Sequence, residues 1–382
     1  MKPSIRILQI IFLVMLVSSP ISAQLVDIEL QGTSQINPYL IYSENDLRKV
    51  GNLADWSLDK CYKLMNDIFL DFSLEGAINW LPIGNQEAPF TGVFDGNGKM
   101  ISGIVMKNSS KASCGFFGAI DAGEVKNLTL DNLYIDLSTS RNIGGLVGVN
   151  YNGKISNCYV SGDISVKDIS CYIGGLVAFN MGGSIYNCGT YGKIDGGLMA
   201  GGLVAYNTGV VQKSFSKMDV RSHMTAGGLI ATLDSSNNSF PVVTACYSTG
   251  DVTSGSYVGG LVGEAYSKSI IRNCYSLANI RGGASAIGGI VGDASETTIE
   301  SCYFSGAIYR MTDRGTPFIG YIAGRSSLCN INNCFFVPAD DRYNWEHRLK
   351  FISANWSIGG LHPIWEFKDS CALPILVGIG GQ

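Results

Sequence analysis

The octapeptide "IGGLVGVN", Ile143 to Asn150, returns along the chain. It recurs as "IGGLVAFN" from Ile173, "AGGLVAYN" from Ala200, "AGGLIATL" from Ala226, "VGGLVGEA" from Val258 and "IGGIVGDA" from Ile287. Weaker copies stand in "CGFFG" at Cys114 and "FIGYIAG" at Phe318. The first glycines of the six clear copies are 30, 27, 26, 32 and 29 residues apart. A period of this size marks a supersecondary unit that cannot bury its apolar face alone and must stack on its neighbours.

A second motif follows about 14 residues after each glycine pair: "ISNCYVSGDI" at Ile155, "IYNCGTYGKI" at Ile185, "VQKSFSKMDV" at Val211, "VTACYSTGDV" at Val243, "IRNCYSLANI" at Ile271 and "IESCYFSGAI" at Ile299, with "INNCFFVP" at Ile331 as a truncated copy. Each repeat is thus two short β-like segments joined by polar, glycine-rich turns, with no stretch of helical period. The pattern predicts an all-β fold, a parallel β-helix or β-solenoid of about eight coils, with about 38 Å of stacked sheet. Strand alternation in "IGGLVG" would put Ile143, Gly145 and Val147 on one face and Gly144, Leu146 and Gly148 on the other. The glycines then act as packing devices that let facing sheets approach. A phosphate cradle would need a helix after the glycines, and none is indicated.

Lys2 and Arg6, the apolar run Ile7 to Val17 and the small Ala23 read as an export signal over residues 1–23. The run is too short to cross a bilayer, and no second long apolar segment exists, so no membrane span is expected after its removal. That removal takes away two positive charges and no acid, moving the formal charge from -4 to -6. A weakly acidic chain without a basic run has no electrostatic footprint for nucleic acid. Residues 24–92 should form an N-terminal cap with a short helix in "SENDLRKV", Ser43 as its N-cap and Leu47 and Val50 on one face. Residues 93–337 hold the repeat solenoid. Residues 338–382, with Trp345, Trp356 and Trp365, should form a C-terminal cap closing the other end.

In a solenoid a repeated position becomes a column. One column holds Cys158, Cys188, Ser214, Cys246, Cys274, Cys302 and Cys334. Export would suggest disulfides, yet ladder neighbours have parallel Cβ vectors about 4.8 Å apart, where a disulfide wants about 3.8 Å. The column therefore reads as buried thiols, and Cys329 with Cys334, or Cys61 with Cys371, stay open as pairs. One residue later come Tyr159, Gly189, Phe215, Tyr247, Tyr275, Tyr303 and Phe335. If Cys points inward these rings point outward, and Tyr159, Phe215, Tyr247, Tyr275 and Tyr303 are the candidate ligand-binding residues, a strip on which sugars could stack. The alternative is that the rings only shield strand edges. Asp219 and Asp251, on adjacent coils, would supply too few oxygens for calcium. With three His and no HExxH or GxSxG string, no catalytic residue, metal or cofactor is expected.

The "GGLVG" copies with "I-x-N-C-Y-x-x-G" between them resemble the GLUG-motif repeats of bacterial exported and surface proteins, repeats that also occur in some immunoglobulin A metallopeptidases and large adhesins. The lead-in "NPYLIYSENDLRKV" and "FTGVFDGNGKMISGI", and the closing "NWSIGGLHPIWEFKDSCALPILV", are similar to the flanks of such proteins. The peptidases carry a separate zinc domain, and this chain lacks its HExxH, so the resemblance implies fold and location more than activity. The leading expectation is a non-enzymatic secreted or cell-surface module contacting glycan or a host or bacterial surface protein. A carbohydrate-active enzyme and a structural spacer stand against it. Paired acids beside an Arg or Lys on neighbouring coils would favour the enzyme, and exposed rings without them would favour binding.

Overall fold

The computed structural model describes residues 31–70, 80–107, 112–138, 140–235, 240–311 and 316–342, and within 347–379 positions 347, 350, 351, 354, 356, 363–367 and 373–379. The expected export signal, Trp345, His362 and Cys371 lie outside them. The chain winds into an all-β parallel solenoid of about nine turns with almost no helix. Successive copies of the repeat pair in register, Val147 opposite Val177 and Ile155 opposite Ile185, so coil length varies only in the turns.

Each coil crosses three sheets. Two of them have eight strands each. In the leading one, Asn142–Gly144 stacks on Tyr172–Gly174; in the trailing one, Val147–Tyr151 stacks on Val177–Met181. The large sheet, of 23 strands, takes both halves of the second motif, for example Lys154–Ser156 and Tyr159–Val166.

The glycine pair is the corner between the two small sheets, which corrects the alternation expected across it. Ile143, Leu146 and Val147 all point into the core, fully buried, and the backbone bends between them. A Cβ on Gly144, Gly174 or Gly201 would run into the carbonyl of Val147, Val177 or Val204, three residues later in the same coil. One on Gly145, Gly175 or Gly228 would strike a carbonyl of the next coil. The first glycine permits the bend and the second permits the stack.

The second corner falls before the Cys column. Asn157, Asn187 and Asn273 sit there at φ of 53°, 51° and 53°, the left-handed region Asn tolerates best. Their amides also form a ladder: Asn157 Nδ2 donates to Asn127 Oδ1 at 2.9 Å, and Asn187 Nδ2 to Asn157 Oδ1 at 2.8 Å. The following thiol closes the turn by donating to the carbonyl two residues back, Cys158 to Ser156 at 3.3 Å and Cys274 to Arg272 at 3.1 Å. Ser214 Oγ makes the same bond to Gln212 at 2.8 Å, which is why a hydroxyl fits one coil of the series. Cys61, Cys158, Cys188, Cys246, Cys274, Cys302, Cys329 and Cys334 are free thiols.

The core is the inside of the coil, filled by columns such as Ile143–Ile173, Ile155–Ile185 and Cys158–Cys188. One inward column carries amides: Asn150 Nδ2 donates to Asn180 Oδ1 at 2.8 Å and Asn180 Nδ2 to Asn207 Oδ1 at 2.6 Å, and all three are fully buried. Each also bonds the turn beside it, as Asn150 does to the carbonyl of Gly153 at 3.2 Å, so the row is satisfied. At the N-terminal side Ser43 caps the helix Glu44–Leu47, accepting from the amide of Asp46, while Leu47 and Val50 are buried. The strands Tyr39–Ile41 and Cys61–Leu64 already belong to the large sheet, so parallel pairing begins ahead of the first glycine repeat.

Candidate functional site

The ring strip faces away from the thiols, as strand parity requires: Cys158 and Cys188 lie in the coil interior, whereas the rings belong to a separate apolar cluster outside it. Phe215, Tyr247, Tyr275 and Tyr303 stack with centroids 5.1, 4.9 and 5.0 Å apart and planes within 8° of parallel. Their expected exposure is corrected by the structure. All four are buried: residues of the C-terminal segment pack on Tyr275 and Tyr303, Tyr159 and Tyr191 pack on Phe215, and Tyr247 is stacked between Phe215 and Tyr275. Trp365 packs on Tyr275 and Tyr303, Phe351 on Tyr303 and Phe335, and Tyr303 Oη donates to the carbonyl of Pro374 at 2.9 Å. Tyr159, beyond this cover, is half-buried. These rings are a second core.

A different lateral face is open. The outer columns of the two small sheets meet across the glycine corner. In the trailing sheet the column reads Val149, Phe179, Tyr206, Thr232, Glu264, Asp293 and Arg325. In the leading sheet it includes Tyr172, Met199, Thr225 and Tyr257. Tyr172 meets Phe179 edge to face at 4.9 Å, and Phe179 stacks on Tyr206 at 5.4 Å; all three are half-buried. Because side chains of both columns touch, this side of the corner is re-entrant.

Further along the axis the same column turns acidic. Glu264 accepts from Thr225 Oγ1 at 2.8 Å and from Tyr266 Oη at 2.6 Å. Tyr266 Oη also lies 3.4 Å from Asp293 Oδ2, and Arg325 holds Asp293 with both arms of its guanidinium, Nε at 2.8 Å from Oδ1. Glu264 and Asp293 are 6% and 3% exposed, so neighbours already occupy most of their lone pairs. Arg325 reaches over the rings of Tyr257 and Phe318. Burial and the adjacent Asp234, which accepts from Tyr206 at 3.1 Å, push the Tyr206 phenol up to about 12; burial and the Glu264 bond push Tyr266 up as well. Both phenols are therefore fixed hydrogen-bond donors at neutral pH. Along the face lie half-buried rings at one end, buried and already bonded carboxylates in the middle and the exposed, Asp293-paired Arg325 at the far end.

Sequence reasoning passed over this column. Its signal is the third residue after each "GGL" or "GGI", which runs Val, Phe, Tyr, Thr, Glu, Asp while the glycine pair and the two apolar residues after it stay nearly constant. The Asp column, by contrast, is a self-satisfied ladder. Asp163 pairs with Lys193 at 3.4 Å, Asp219 accepts from the amide of Asp251 at 2.9 Å, and Asp251 accepts from Asn279 at 3.0 Å. No group of three or more His, Cys, Asp or Glu suited to a metal occurs among the described residues.

The GLUG motif profile matches residues 139–165 and 254–281. The chain is 32% identical over 137 residues to Halomucin of Haloquadratum walsbyi, covering 34% of this chain and 2% of that protein. It is 35% identical over 133 residues to a candidate Gly-rich membrane protein of Evansella cellulosilytica, covering 34% of this chain and 15% of that one. It therefore spans a small part of the length of either relative. Among solved structures, a candidate immunoglobulin A1 protease from Bacteroides ovatus superposes with a TM-score of 0.52 at 19% identity, covering 90% of this chain and 93% of that one. An IgA1 protease superposes at 0.51 and 18% identity, over 70% of this chain and 21% of the other. At such identities the likeness is one of fold. Two stretches of this solenoid, residues 139–165 and 254–281, are thus GLUG motifs.

Proposed function

We propose that the protein is an exported, non-enzymatic surface or secreted solenoid of a bacterium that binds carbohydrate along the face built on Phe179, Tyr206, Glu264 and Asp293. The observation that carries this reading is the half-buried stack of Tyr172, Phe179 and Tyr206 on a re-entrant face, continuous with carboxylate acceptors. Aromatic faces take the C–H side of a sugar ring. Export is supported by the amino-terminal sequence and by a relative named as a membrane protein. A glycan array of the purified protein, repeated with Phe179→Ala and Tyr206→Ala, tests it. Binding should fall at least about fivefold in each variant with circular dichroism unchanged, since a lost stacking ring is worth roughly 1 kcal/mol or more. No glycan bound by the parent protein, or equal binding by the variants, would overturn the reading.

A second reading rests on Glu264 and Asp293 standing on neighbouring coils beside Arg325, the arrangement that favours a carbohydrate-active enzyme. The bonds that already engage both carboxylates favour the binding role. A polysaccharide-degradation screen with Glu264→Gln separates the two: turnover by the parent protein that the variant loses would establish the enzyme.

A further inference from the structure

The thiols that precede the ring strip stand in two unbroken rows inside the coil. Tyr159 pairs with Gly189, so Cys158 and Cys188, one residue earlier, are ladder neighbours. Tyr247, Tyr275, Tyr303 and Phe335 pair in turn, which makes Cys246, Cys274, Cys302 and Cys334 a row of four. Ser214 separates the two rows. All but the half-buried Cys334 are fully buried.

The six sulfurs share one orientation. Each lies 3.1–3.3 Å from the carbonyl two residues back in its own coil. Each also lies 3.5–3.8 Å from the carbonyl of a Val or Ile in the preceding coil, from Val125 for Cys158 to Ile299 for Cys334. Identical side chains in one orientation repeat at the strand spacing, so adjacent sulfurs stand about 4.8 Å apart. A disulfide of about 2.05 Å falls far short of that gap. Two metal–thiolate bonds of about 2.3 Å laid end to end span about 4.6 Å and nearly fill it.

We infer that these rows bind soft monovalent cations of the Cu(I) and Ag(I) class, each ion held in line between the sulfurs of two adjacent coils. Such ions accept two donors at a straight angle, and thiolate sulfur selects them over harder cations. Zinc would need four ligands converging on one point, which a row cannot supply. One S–H of the pair gives its proton to water as the cation enters, leaving a thiolate and a thiol about the ion. The dry core then gains no net charge, which keeps the burial of the ion tolerable. A sulfur holds one ion only, because two collinear ions would force a straight angle at sulfur. The rows therefore take three ions, between Cys158 and Cys188, between Cys246 and Cys274, and between Cys302 and Cys334.

The buried thiols are reached only when coils open, so the ion is best supplied during refolding. The full chain, refolded without oxygen in the presence of Cu(I) added as its acetonitrile complex and then desalted, should retain copper that X-ray absorption finds between two sulfurs. Cys188→Ser and Cys274→Ser should each retain one ion fewer than the parent protein, and Cys61→Ser, outside the rows, as many. Serine already stands at position 214 with the same backbone bond, so the coil accommodates these changes. Ser214→Cys joins the rows into seven sulfurs, which still make three pairs, and should add no ion. If a serine variant misfolds, the sulfur count about the parent's copper and the Ser214→Cys stoichiometry decide. No copper retained by the parent, three or more sulfurs about each ion, an undiminished count in Cys188→Ser, an equal loss in Cys61→Ser or an added ion in Ser214→Cys would each overturn the inference.

Discussion

Lys213, Ala245 and Ser301 occupy the same left-handed corner, at φ of 49°, 54° and 51°, that Asn157, Asn187 and Asn273 hold in other coils. A residue with a Cβ and no local amide pays about 1–2 kcal/mol there. Ala245→Asn should therefore raise the stability of its coil by about 1 kcal/mol, read as a higher melting temperature, with the amide positioned to join Asn273. The thiols beside this corner set a pH limit. Burial holds the Cys158 and Cys274 thiols well above their ordinary range, and burial with the neighbouring Tyr275 does the same for the Tyr247 phenol. In the unfolded chain those thiols ionise near about 8.5, whereas in the fold they keep their protons, so the stabilisation is complete below that pH and drains away as pH rises above it. Each such thiol removes about 1.4 kcal/mol per pH unit in that window. Melting temperature should be flat from pH 6 to 8 and fall steeply toward pH 10; a flat profile to pH 10 would show the thiols to be solvated.

At the scale of elements, the C-terminal segment decides what the ring ladder does. Trp365 touches Tyr275, Tyr303 and Trp356 and is fully buried. Trp365→Ala should cost about 3–5 kcal/mol and increase binding of a hydrophobic dye, since it uncovers two tyrosine faces. Replacing Tyr247, Tyr275 and Tyr303 together by Ser should destabilise the protein rather than leave it folded and inert toward ligand. The direction of those rings was legible because residues one apart on a strand face opposite ways. Their burial was not, because the segment that covers them carries no repeat and its approach depends on tertiary packing. The short helix was legible from Ser43, Asp46 and Leu47, whose signals are local. The bend at each glycine pair was hidden for a similar reason: what forbids a side chain on Gly144 is a carbonyl three residues later, and sequence alone shows that glycine only as half of an alternation.

Over the whole molecule, the recurrence of one motif made the fold plain, because a coil that contacts only its neighbours repeats its sequence wherever it repeats its shape. The proposed binding face is written in positions that do not repeat, the column from Phe179 to Arg325, and these stand out only once the coils are superposed. The cover over the rings also has a mechanical side. In the N-terminal half each coil is held by its two neighbours, through backbone ladders and the amide rows at Asn150 and Asn157. In the C-terminal half Phe351, Trp356 and Trp365 together touch Tyr275, Tyr303 and Phe335, which lie on three successive coils. Under tension along the axis the first half can peel one coil at a time, in small regular steps. The second is splinted, and has to shed its splint before any coil within it lets go, in one large event.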